Sequence, residues 1–199
     1  NTILEDCEIL VIANALHKSN LGNWTLPTPS AFTKKEIRTI SSWVKQGGNL
    51  LLIADHMPYA GAANDLASEF GFTFLNGFAM TGDQFWPPSV FSIENGGLIE
   101  SFVTKGSKDY EEINSLATFT GSAFKIPNDA TPIIKFSEDH ISLQPDTAWR
   151  FDENTPVKNL EDYYQGAVHE FGKGKIAVFG EAAMFTAQKA NNTKTGFNS

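Results

Sequence analysis

Gly47-Gly48-Asn49-Leu50-Leu51-Leu52-Ile53-Ala54-Asp55-His56-Met57-Pro58 is the stretch from which the fold is read. The two glycines supply a left-handed stop for a preceding helix. The apolar run from Asn49 to Ala54 reads as a buried strand, with an acid and a histidine side by side where it ends. In open α/β sheets ligands bind outside the carboxyl ends of the strands, so polar chemistry is expected at this corner. An apolar strand needs no charge to finish it. Asp55 and His56 therefore call for turn chemistry or for function.

Upstream, Thr33-Lys34-Lys35-Glu36 has the form of a capping box, and Ile37, Ile40 and Val44 then fall on one helical face. Glu8–Asn14 is apolar on both faces, as a strand inside a parallel sheet would be. Together these pieces predict one strand–helix–strand unit. Between its first strand and its helix, residues 15–32 show no period, yet they carry Trp24, Leu26 and Phe32. Connections of that length are often functional.

Downstream, Ala63, Leu66, Ala67 and Phe70 predict a second helix closed by Gly71, followed by a short strand at Phe72–Phe74. Residues 75–97 read as loop. Their aromatics, Phe78, Phe85, Trp86 and Phe91, argue for a lid packed on the domain, within an insertion spanning 75–114. The second half offers short strands at 115–118, 123–126 and 132–136. Segments 165–171 and 175–180 flank Gly172-Lys173-Gly174 as a hairpin. The expected architecture is a three-layer α/β domain over residues 1–199, with a mostly parallel sheet and a β-rich second half.

The chain has 199 residues with 41% apolar and 19% charged, enough for a full core without a disulfide or a metal. Its net charge of −8 opposes nucleic acid or an anionic membrane surface as partner. No apolar run is long enough to span a bilayer. Cys7, the single cysteine, precedes a core strand and reads as a small buried hydrophobe. Cysteine usage fits a periplasmic or secreted protein as well as a cytoplasmic one, and the first residue, Asn1, suggests a processed or truncated start.

Asp55, His56 and Glu181 are the candidate catalytic residues. A carboxylate beside an imidazole can position water or relay a proton near neutral pH. Glu181 follows the strand Ile176–Gly180 and would open on the same sheet edge as Asp55. The bland readings are a turn residue at Asp55, a packing histidine at His56, and an acid at a helix start for Glu181. Asn14 at the matching strand exit, Trp24 and Trp86 as roofing aromatics, and Thr118 in a hydroxyl-rich turn are the candidate ligand-binding residues. No nucleophile elbow, phosphate loop or dinucleotide fingerprint is present, and the four histidines lack metal-ligand spacing. No cofactor or metal is expected. The expected partner is a small molecule, with a carbohydrate or other polyol suggested by aromatics over acids and amides.

The stretches Ile9–Asn14, Phe32–Ile37, Trp43–His56 and Phe171–Glu181 resemble the class I glutamine amidotransferase-like superfamily, in its uncharacterised bacterial branch. Trehalose-utilisation-type proteins share that architecture. The resemblance implies a flavodoxin-like sandwich. It also implies a cysteine nucleophile after the strand that here ends in Ala54-Asp55-His56, where this chain has none. Glutaminase chemistry is therefore not carried over. The function expected is a small-molecule pocket, hydrolytic through a carboxylate general base. The alternative is a binding or scaffold domain that has lost amidotransferase chemistry.

Overall fold

The computed structural model describes residues 4–82, 85, 88–185, 189–190 and 193–194. The chain opens with β1 (Ile9–Ala13), α1 (Lys34–Gln46), β2 (Asn49–Ile53), α2 (Tyr59–Ser68) and β3 (Thr73–Leu75). There follow β4 (Phe78–Thr81), β5 (Ser89–Ser92), the short α3 (Phe102–Lys105), β6 (Ser115–Thr118) and β7 (Ala123–Lys125). β8 (Thr131–Lys135), β9 (His140–Leu143), β10 (Val157–Asn159), β11 (Tyr164–Phe171) and β12 (Gly174–Phe179) complete the main elements.

Local chemistry fixes the first unit. The Thr33 hydroxyl accepts from the Glu36 amide at 3.3 Å, while the Glu36 carboxylate accepts from the Thr33 amide at 2.8 Å. α1 then buries Ile37, Ile40 and Val44. Gly47 ends it at φ 127°, and Gly48 lies so close to the Trp43 ring that a Cβ there would stand 2.1 Å from it.

The principal sheet has seven strands in the order β1-β2-β12-β11-β7-β3, with β8 also paired to β11. Only β1/β2 and β2/β12 are parallel; the pairs β12/β11, β11/β7, β11/β8 and β7/β3 are antiparallel. This corrects the expectation of a flavodoxin-like three-layer sandwich with a mostly parallel sheet. A parallel sheet needs a crossover after each strand, whereas β11 and β12 are joined by a tight turn and later strands follow as short antiparallel segments.

The helices are also placed differently. Strand alternation sends Leu50, Leu52, Ile176 and Val178 to one face, where both α1 and α2 pack. Leu51, Ile53, Ala177 and Phe179 point the other way, against Phe91, Leu98, Ile133 and Ile134. That second face is covered mainly by strand and loop residues, with Val103 of the one-turn α3, where a helix-flanked sandwich would have full helices.

A smaller sheet, β10-β9-β4, carries Phe78 and Met80, which pack with Met57. Residues 75–97 are thus not uniformly loop: they contain β4 and β5, and Phe78, Met80 and Phe91 are buried. Their polar-interrupted sequence conceals strands that pair with partners far along the chain. Trp86 lies outside the described residues. Cys7 is half-buried, not buried, and its thiol donates to the Ile9 carbonyl at 3.0 Å.

Candidate functional site

The parallel register places three strand exits in line. Ala13 and Phe179 both pair with Ile53, so Asn14, Ala54 and Gly180 follow side by side. Asn14 adopts φ 51°, and its side-chain oxygen accepts from the Asp55 amide at 2.9 Å. The Asp55 carboxylate in turn accepts from the His56 amide at 2.9 Å. From across the sheet, Ser122 closes the exits: its amide donates to Gly180 O at 2.6 Å and its hydroxyl to Ala54 O at 2.7 Å.

Gly121 makes that closure possible. A Cβ on it would meet Gly180 O at 2.3 Å and Glu181 Cβ at 2.8 Å, and its φ is 87°. Buried Gln165 supports the same turn, donating from Nε2 to Thr120 O at 2.7 Å.

Glu181 is the most perturbed group here. It is 2% exposed, and its carboxylate accepts from the Met184 amide at 2.6 Å. Burial raises its pKa from 4.5 to about 7; the charge of Asp55 pushes the same way, while backbone hydrogen bonds from Met184, Phe119 and Ala183 oppose the rise. The pKa of Tyr59 is also raised, by burial first and by Asp55 second. Asp55 therefore couples electrostatically to both.

His56 belongs to the aromatic side of the site. Its Nδ1 lies 2.6 Å from Met57 O. A carbonyl only accepts, so Nδ1 carries a proton toward it. The ring stacks on Phe78 at 4.4 Å and meets Trp149 edge-on at 4.8 Å, with Tyr59 at 5.9 Å and Trp24 at 6.0 Å. Trp24 and Trp149 are brought there by pairing of two distant segments: Ala148 N donates to Trp24 O and Leu26 N to Asp146 O, each at 2.8 Å. Half-exposed Trp149 holds φ 65°.

The structure thus gathers Asn14, Asp55 and Glu181 in an acidic half and Trp24 with His56 in an aromatic half, where Tyr59 meets both rings and feels the charge of Asp55. Thr118 ends β6 opposite Ser89 and is buried; the contact to Glu181 comes from the next residue, Phe119. Gly121 and Ser122 belong to the hydroxyl-rich turn that the sequence marks, whereas Tyr59, Trp149 and Gln165 are residues the sequence reading does not single out. A tyrosine in the helix directly after the Asp55-His56 corner was a usable signal. Trp149 carried none, because its segment has no period. Among the described residues no group of three or more His, Cys, Asp and Glu side chains could hold a metal ion. No helix among them is long and apolar enough to cross a membrane.

The mmIFT52 N-terminal domain is similar in structure, with a TM-score of 0.57 at 14% identity over 93% of this chain and 70% of its own. A cytoplasmic protein from Salmonella typhimurium LT2 aligns with a TM-score of 0.49 at 12% identity, and a second Salmonella typhimurium cytoplasmic protein with 0.48 at 15%. Each covers 88% of this chain, which spans 61% of theirs. The first likeness shows the fold alone. None of the three is described as a glutamine amidotransferase. No protein-family model matches the chain, and no curated protein matches it by sequence.

Proposed function

We propose that the carboxyl ends of β1, β2 and β12 form the binding site for a small polar molecule, a carbohydrate or other polyol, and that Glu181 moves a proton during its hydrolysis. The carrying observation is the pKa of Glu181, raised to about 7, which suits a group that must both take and return a proton near neutrality. In the ionised form Glu181 takes a proton from water as the water oxygen bonds to the electrophilic carbon. The bond to the leaving group breaks, and the leaving group takes the proton that Glu181 now carries, which restores the carboxylate. Asp55 keeps a second negative charge beside the site. Trp24, Tyr59 and Trp149 offer apolar faces against which a sugar ring can lie, while Asn14 and Asp55 supply polar contacts.

A second reading has its own observation. The Glu181 carboxylate is already engaged by the Met184 amide at 2.6 Å, as a purely structural cap of the turn Ala183–Phe185 would be. Under that reading the chain binds its ligand without chemistry, as an amidotransferase-like domain whose nucleophile position is absent. Calorimetric titration with a panel of mono- and disaccharides, paired with a hydrolysis assay, separates the two. Glu181→Gln should keep binding and lose turnover if Glu181 is catalytic. Binding with no turnover in either form supports the second reading. Failure of every polyol to bind rejects both.

A further inference from the structure

We propose that β1 is the seam of a symmetric dimer, in which β1 of one copy pairs antiparallel with β1 of a second copy. β1 is a terminal strand of the main sheet, with β2 as its one neighbour among the described residues. One of its faces is exposed and the other only partly covered. Ile9 and Val11, on the face away from α1, are 61% and 57% exposed. On the helix side, Leu10 and Ile12 line an open groove of about 620 Å³ together with Leu4, Phe32 and Ile40.

Exposed edges are normally blunted by shortness, charge, proline or a bulge. The other terminal strand, β3, has three residues, and edge strand β10 carries Lys158 among exposed neighbours. β1 has none of these devices: Ile9-Leu10-Val11-Ile12-Ala13 is uncharged and pairs with β2 in unbroken register.

Charge selects a second copy as the occupant. Asp6 and Glu8 are exposed at the amino end of β1, while Glu5 lines a cavity with Lys34, Lys35 and Arg38 of its own chain. The exposed Lys34, Lys35 and Arg38 lie in the first turns of α1, which starts on the carboxyl side of β1 and returns to the amino end of β2. An antiparallel two-fold centred on Val11 sets Ile9 of one copy opposite Ala13 of the other. It carries the acids of each copy toward the bases of its partner. The two helical layers then share one face, so the grooves merge, and the Ile9–Val11 stripes join on the opposite face.

Sedimentation equilibrium of the intact chain tests this, with Val11→Lys, Val11→Thr, Glu8→Lys, Lys35→Glu and the double variant Glu8→Lys/Lys35→Glu. The wild type should dimerise, more weakly at high salt, and Val11→Lys should weaken dimerisation at least about tenfold. Each single charge reversal should weaken it and the double variant should restore it. Val11→Thr, which keeps a β-branched side chain, guards against misfolding as the cause: its circular dichroism should match wild type while dimerisation weakens. Amides of β1 should also exchange more slowly as protein concentration rises. A monomeric wild type, a dimer indifferent to Val11→Lys, or exchange in β1 independent of concentration would overturn the proposal.

Discussion

Asn14 shows how a single side chain fixes the geometry of the site. Its backbone sits at φ 51°, a region that disfavours side chains bearing a Cβ, and its amide oxygen holds the Asp55 N–H. Both features bear on stability. Asn14→Ala should lose about 2–3 kcal/mol, combining left-handed strain with an amide that loses its acceptor. Asn14→Gly keeps the permitted backbone and loses only the hydrogen bond, about 1–2 kcal/mol. Urea melts of the two variants should rank them in that order. Equal losses would show that the backbone conformation contributes nothing. The place of Asn14 at a strand exit is legible in the sequence, but its hold on Asp55 is not, because the Asp55 amide is an atom that every residue has.

At the scale of elements, the turn between β6 and β7 shapes the acidic half. Gly121→Ala places a Cβ against backbone at Gly180 and against Glu181 Cβ, neither of which can swing away. A loss above about 2 kcal/mol is expected, with a displaced Glu181 titration. Gly22 also has positive φ, at 76°, but nothing lies within 4 Å of its missing Cβ. Gly22→Ala should therefore cost about 1 kcal/mol, from conformation alone. Comparing the two melts isolates the close approach. This turn also marks where the sequence stopped being readable. The capping box at Thr33 and the strand at Asn49 are local, so their residues announce them. Pairing of β2 with β12 joins positions more than a hundred residues apart, and was anticipated only through the polar residue at each exit. β4, β9 and β10 escape a sequence reading because each is only three or four residues long: β4 is buried along Phe78–Met80, β9 alternates, and β10 is exposed throughout, so none has the apolar run of β2. The Gly172-Lys173-Gly174 turn announces the antiparallel pair β11/β12, but nothing local shows that β7, β3 and β8 join the same sheet through further antiparallel pairs, so the parallel part is over-extended.

At the scale of the whole molecule, Glu181 links the site to folding stability through pH. The folded state retains a proton on Glu181 up to about 7, whereas the unfolded chain releases it near 4.5. Between those values the folded form binds more protons, so stability from this group is present at low pH and falls as pH rises. The swing is at most about 3–4 kcal/mol, since each pKa unit is worth about 1.4 kcal/mol. Two other effects share the range. His140 is buried against Phe91 and Phe136, and burial lowers its pKa from 6.5, so its contribution falls as pH drops. The net charge of −8 adds self-repulsion that grows as pH rises. Glu181→Gln leaves both of those nearly intact, since Gln can still accept from the Met184 amide and differs by one charge. The difference in melting temperature between wild type and Glu181→Gln therefore reports Glu181 itself. It should be flat below about pH 4.5, move in favour of the variant from there to about pH 7, and flatten again above. Calorimetric scans across that range give the curve. A difference constant with pH would mean that Glu181 is ionised in the folded protein at its ordinary pKa, leaving neither a stored proton for catalysis nor a stability linked to it.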